Sequence, residues 1–265
     1  MGILDKNKIN DNAYWFICYI NPLELAEGIT ATLKNGEETI LVDTGSDGNG
    51  YKAVSYITTA KQQYAGDEKL IALLNALQDY GHYMLTTDWR DNLKPNNEHA
   101  QIDAVTAITV DNDAAGVIAA LADTEHNGAN SIEIVRNLDN TGVEQIKFSL
   151  VLNDKTAMKY TVVLSSGATI ESTNFPIEKG NGVFLTKGIG PLLLGKMETF
   201  SVKTKDTETG TEKGTATITA CPMSYVHAIL TGDFTNAQKI AMVAYYRYWQ
   251  AALAYQASLN QNSGN

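Results

Sequence analysis

The stretch Ile40-Leu41-Val42-Asp43-Thr44-Gly45-Ser46 is where residue types and spacing come nearest to a recognisable chemistry. A carboxylate in a tight turn at the end of an apolar strand is half of a two-carboxylate acid catalyst, in which the pair shares one proton and activates water. Such a catalyst needs a second copy of the motif, and the chain has none. The matching position further along is an acidic, Thr-rich hairpin, Lys205-Asp-Thr-Glu-Thr-Gly210. Asp43 therefore reads as the end of a strand entering a turn. The run Tyr245-Tyr246-Arg247-Tyr248-Trp249, with Tyr255, offers a different chemistry, the stacking of aromatic faces on sugar rings. Neighbouring residues of a helix point in different directions, so only part of the run can form one platform. Tyr245 and Tyr248 are the candidates for it, and core packing accounts for the rest.

The remaining motifs are incomplete. His82, His99, His126 and His227 make neither a His-x-x-x-His nor a His-Glu-x-x-His spacing, which leaves zinc without a ligand set. Residues 231–238 lack the alternating Asp/Asn and the closing acid of a calcium loop. Gly180-Asn-Gly182 and Gly188-Ile-Gly190 are turn glycines outside any strand–GxGxxG–helix setting, and no Gly-x-Ser-x-Gly or Cys/His nucleophile pattern occurs. The expectation is a protein with no catalytic residue, no cofactor and no metal.

The elements that carry these residues are repeated. Residues 222–259 read as a helical hairpin, and residues 51–84 read as an earlier copy. Ser55-Tyr56-Ile57 matches Ser224-Tyr225-Val226 at a displacement of 169 residues (224 − 55), and Ile20, Pro22, Leu23, Leu25, Thr30 and Lys34 match upstream at the same displacement. Each unit reads as strand, Pro-containing turn, two strands and two helices. In this register Met1 falls on Ile170, so the first unit starts inside its sheet and the chain reads as a monomeric fragment of something longer.

In chain order, Asn35-Gly36 predicts a two-residue hairpin turn between strands at 29–34 and 37–43. Leu70, Leu73, Leu74, Leu77, Tyr80 and Met84 form one helical stripe, with Asp67 as its N-cap. Residues 88–100 are polar and contain Pro95, which places a boundary there. Residues 104–110 suit a strand, and residues 114–121 suit either type. Alternation is strong over 146–152 and 158–164, which predicts antiparallel strands and a β-sandwich. In the last helix, Ile240, Val243, Tyr246, Trp249 and Leu253 predict the face that packs inward.

Composition narrows the function classes. A formal charge of −10 disfavours nucleic acid, which is bound by clustered Lys and Arg, and it disfavours anionic membrane surfaces equally. No apolar run is long enough to span a bilayer, so no membrane insertion is expected. Cys18 and Cys221 occupy non-equivalent positions, which rules out one bridge per unit and leaves two isolated thiols. The N-terminus lacks the basic start and apolar core of a secretory signal; if the parent protein is exported, that signal lies outside this sequence.

Two resemblances follow from the residues. Asp43-Thr44-Gly45 resembles the signature of aspartic proteases, without its second copy. The other covers most of the chain: strand-rich segments ending in a helix with Tyr51 and Tyr56, then a Leu-rich helix closing on Ala76-Leu77-Gln78-Asp79-Tyr80-Gly81, with Tyr225 and 245–249 in the second unit. These resemble the modules repeated in large secreted or cell-wall-associated proteins of Gram-positive gut bacteria, although Trp249 stands where the glycine would be. That resemblance implies an extracellular or cell-wall location and modularity. The resulting expectation is an α+β chain: a truncated first module at 1–91, with its helices at about 51–84, and a complete second module at 92–265, an Ig-like antiparallel β-sandwich followed by a helical hairpin at about 222–259. The expected function is a non-enzymatic structural or adhesive spacer, whose partners are cell-wall or host glycans or another surface protein. Glycan binding through the last helix is the alternative, and a protease built on Asp43 the third.

Overall fold

The computed structural model describes residues 4–10, 13–18, 20, 22–45, 48–87, 102, 105–121, 126–127, 132–139, 145–152, 158–164, 169–172, 177–178, 181–185, 189–206, 209 and 211–262. Its elements in chain order are β1 (Leu4–Asn10), β2 (Ala13–Cys18), β3 (Ala31–Asn35), β4 (Glu38–Asp43), α1 (Ala53–Gln63), α2 (Glu68–Leu85), α3 (Asn112–Ile118), β5 (His126–Asn127), β6 (Ile132–Asp139), β7 (Gln145–Leu152), β8 (Met158–Leu164), β9 (Thr169–Ser172), β10 (Ile177–Glu178), β11 (Asn181–Leu185), β12 (Glu198–Asp206), β13 (Glu212–Ala220), α4 (Pro222–Thr231) and α5 (Asn236–Asn262). Short 3-10 turns stand at Pro22–Glu24, Ala119–Leu121 and Pro191–Leu193. The fold is α+β, and every strand pairing is antiparallel. The boundary expected at 88–100 lies outside the described residues.

Two compact units divide these elements. One comprises β1 to α2, the segment 105–110 and α5; the other runs from α3 to α4. The two helices expected to form one C-terminal hairpin thus fall in different units. In the first unit, α2 begins where the Asp67 carboxylate accepts from Leu70 N at 3.0 Å, as its position predicts. α5 begins with a reciprocal pair: Thr235 Oγ1 accepts from Gln238 N, and Gln238 Oε1 accepts from Thr235 N. Along α5 the residues Gln238, Ala241, Tyr245 and Ala252 are buried at helical spacing, and α5 packs on α2. The predicted inward face at 240, 243, 246, 249 and 253 is only partly right. Val243 is buried, but Leu253 is 37% exposed, and the residues that meet Tyr80 of α2 are Tyr245 and Tyr248.

Residues 105–110 form no strand. Their backbone groups are taken by side chains of α2: Thr106 N donates to Asp79 Oδ1 (2.7 Å), Tyr83 OH donates to Thr106 O (2.9 Å), and Ile108 N donates to Tyr83 OH (3.1 Å). Asp79 is buried, so the Thr106 amide supplies a donor to a carboxylate withdrawn from water.

The second unit holds a four-stranded sheet, β10-β11-β7-β6, and a five-stranded sheet, β5-β13-β12-β8-β9. α4 starts with Pro222 in its first turn, where a missing N–H costs nothing, and Ser224 Oγ accepts from Cys221 N (3.2 Å). Residues 114–121, ambiguous in the sequence, lie in α3 and a 3-10 turn. Both pack on α4, with Ile118, Met223 and Val226 fully buried.

Candidate functional site

A concavity with polar and aromatic lining lies beside the loop that follows Asp43. The hairpin β3–β4 turns at Gly36 and Glu37, one residue later than Asn35-Gly36 predicts, with Gly36 at φ 62°. β4 ends at Asp43, and the chain leaves the ladder for a glycine-rich loop before the bridge Ile29–Tyr51 restores the pairing. That bridge carries two hydrogen bonds, Ile29 N to Tyr51 O (2.9 Å) and Tyr51 N to Ile29 O (2.7 Å). Gly45, Gly48 and Gly50 all adopt positive φ, and Gly50 N donates to Thr44 O at 2.6 Å. Only a residue without a side chain takes these angles at no steric cost.

The Asp43 carboxylate is engaged inside this loop. Oδ1 accepts from Gly45 N at 3.0 Å, and both oxygens lie 3.0 Å from the Tyr51 hydroxyl, which donates to them. The hydrogen bond to Asp43, and then its charge, push the Tyr51 phenol above its ordinary value of 10.0. Tyr51 therefore stays a neutral donor, and the carboxylate serves as an acceptor for the turn. Beside it an open cleft of about 310 Å³ is lined by Gly45, Gly50, Tyr51, Lys52, Ser55 and Tyr56. Tyr56 is 64% exposed. Chemically the cleft offers phenol faces, hydroxyls and one ammonium, a set suited to stacking and hydrogen bonding.

The aromatic run of α5 is placed differently. Tyr245 is fully buried, its ring stacked on Tyr80 at 4.5 Å and 22°. Tyr248 is half-buried and stacks on Tyr80 at 5.8 Å and 9°. A sugar would have to displace Tyr80 to reach the Tyr245 face. Tyr246 meets Trp249 edge-on, and the Trp249 indole N–H is buried with no acceptor among the described residues. Sequence reasoning did not single out Tyr51 and Tyr56 as solvent-facing. The available signal was the polarity of α1, where only Ile57 is buried and Tyr56, its neighbour, must point elsewhere.

Among the described residues, no group of three or more His, Cys, Asp and Glu could hold a metal ion, and no helix is long and apolar enough to cross a membrane. His82 packs edge-on against Tyr83, and Cys221 is buried. No protein family, curated protein or solved structure matches this chain.

Proposed function

We propose that the chain is a non-enzymatic structural or adhesive spacer of an extracellular bacterial surface protein, built from two copies of one module. The observation that supports this reading best is a set of backbone hydrogen bonds that recurs at one displacement. Val54 N donates to Leu25 O at 2.8 Å and Met223 N to Leu194 O at 3.1 Å, 169 residues on (223 − 54). Glu27 N to Glu24 O and Lys196 N to Leu193 O repeat the turn before it, and Ser55 N to Lys52 O and Ser224 N to Cys221 O repeat the helix start. The pairs Ile29/Tyr51 and Glu198/Ala220 stand at the same displacement. So do the 3-10 turns at Pro22 and Pro191, and the starts of α1 and α4.

In the second helices the displacement becomes 168: Ile71 N to Asp67 O and Lys239 N to Thr235 O, each 3.0 Å. The bond between Leu25 and Val54 joins a turn to a helix far along the chain, so local propensity alone does not generate its recurrence. Within the second unit, β6 of one sheet lies near β13 of the other, which supports an Ig-like sandwich there. A chain of repeated modules fits a spacer, in which length and resistance to force are the useful properties.

Glycan binding is the second reading, and the exposed Tyr51 and Tyr56 favour it at α1 over α5. The test is stretching of single full-length chains held by both ends, with the same protein on a glycan array. The spacer reading expects discrete unfolding steps and a blank array. Saturable glycan binding lost in Tyr56→Ala transfers the assignment to the glycan reading. Acid-stimulated proteolysis abolished by Asp43→Asn would transfer it to a protease.

A further inference from the structure

We infer that the outer edge of β3 is a docking site for an extended peptide strand of the β8 kind, supplied by a further repeat of this fold. The inference rests on the repeat reading. The hairpin β12–β13 occupies the place of β3–β4 in the second copy, and there it is flanked on both sides: β8 pairs with β12, and β5 with β13. The hairpin β3–β4 forms a sheet of two strands, and no further strand pairs with either edge among the described residues. It is exposed throughout, including Leu33, Ile40 (59%), Leu41 and Val42. A two-stranded ribbon with open edges and apolar residues in water is marginal by itself and is a template for strand addition.

The register of the added strand follows from β12 and β8. Phe200 pairs with Leu164, Val202 with Val162 and Lys203 with Thr161. Displaced by 169, these pairs set Leu164 against Ala31, Val162 against Leu33 and Thr161 against Lys34. Leu33 thereby gains an apolar partner across the strands. Lys205 pairs with Lys159, and its counterpart is Gly36. A lysine at that place in the added strand falls beside the turn residue Glu37, so charge favours this occupant and this direction. A second copy of the chain adding its own β3 edge is the competing occupant.

The test uses the full chain and a capped synthetic peptide of the β8 sequence, residues 158–164. Amide exchange of residues 31–35 is followed with and without peptide. With peptide at ten times its dissociation constant, the newly paired amides of β3 should exchange about tenfold more slowly. Two N-methylated peptides identify the mode of binding, one blocked at Lys159, Thr161 and Val163, the other at Tyr160, Val162 and Leu164. Edge pairing uses one side of the peptide, so one of the two should lose binding and the other keep it. Unchanged exchange in β3, or binding equally kept or equally lost by both peptides, overturns the proposal. Protection of β3 without peptide, rising with chain concentration alongside a dimer in sedimentation, overturns it in favour of the second copy. None of these outcomes alters the unfolding steps or the array result that test the spacer reading, so the two can fail separately.

Discussion

Gly50 shows how much a single residue decides in the loop around Asp43. At φ 83° its missing Cβ would stand 2.7 Å from Ile29 N and 2.8 Å from Gly28 C, both of them backbone atoms with no freedom to move aside. Gly50→Ala is therefore expected to cost about 1–3 kcal/mol, read as a lower urea midpoint with an unchanged slope. An unaltered midpoint would show that the loop relaxes freely. Tyr51 gives a second check, in pH. Its folded pKa is raised, so the contribution of its bond to Asp43 is fully present below pH 10 and is lost as pH rises through the higher folded value. Phenolate absorbance of the native protein should show a late-titrating component to which Tyr225, raised by burial, also contributes, and Tyr51→Phe should remove one tyrosine from it. Asp67 as a cap was legible in the sequence because the bond it makes is three residues long. The carboxylate of Asp79 was not, because its partner Thr106 lies 27 residues away and no local pattern connects them.

At the scale of elements, the pairing of α2 with α5 rests on Tyr80 lying against Tyr245 and Tyr248. The long helices were legible as helices, and their seam was not. Around Met242 the helix is apolar on every side, with Ala241, Met242, Val243, Ala244 and Tyr245 all buried, so periodicity cannot choose a face. The choice is made by α2, whose Tyr80 is distant in sequence and fills the space beside Tyr245. Tyr245→Ala should cost about 3–5 kcal/mol, since it removes a fully buried ring and leaves a cavity. A double-mutant cycle between Tyr80→Leu and Tyr245→Leu should give a coupling of about 0.5–1.5 kcal/mol for the stacked pair. Zero coupling would mean that each ring packs independently. Trp249 should behave otherwise. Its buried indole N–H has no acceptor among the described residues, so Trp249→Phe deletes an unsatisfied donor along with some apolar area. The expected change is within about 1 kcal/mol, and a loss as large as that of Tyr245→Ala would show that the indole carries a bond the structure does not show.

For the whole molecule, the informative feature is that the first unit takes its elements from both ends of the sequence. β1 to α2 come first, α5 comes last, and the elements from α3 to α4 intervene. The sequence displayed α4 and α5 as neighbours joined by a short polar break. Nothing in that break signals that the second helix belongs with α2, because unit membership is set by which apolar faces meet and not by adjacency in the chain. Removal of residues 235–265 should therefore act on one unit. It strips the partner from Tyr80, whose ring is 2% exposed in the intact protein, and returns that apolar surface to water. Helices derive most of their stability from such packing, so α2 should lose amide protection in the shortened chain. α4 should keep its protection, since it packs on α3 and the 3-10 turn Ala119–Leu121 within the other unit. Hydrogen exchange of the chain ending at Phe234 gives both readings in one measurement. Loss of protection in α4 together with α2 would show that the two units fold as one, and an α2 that stays protected would show that the tyrosine stack contributes little to holding it.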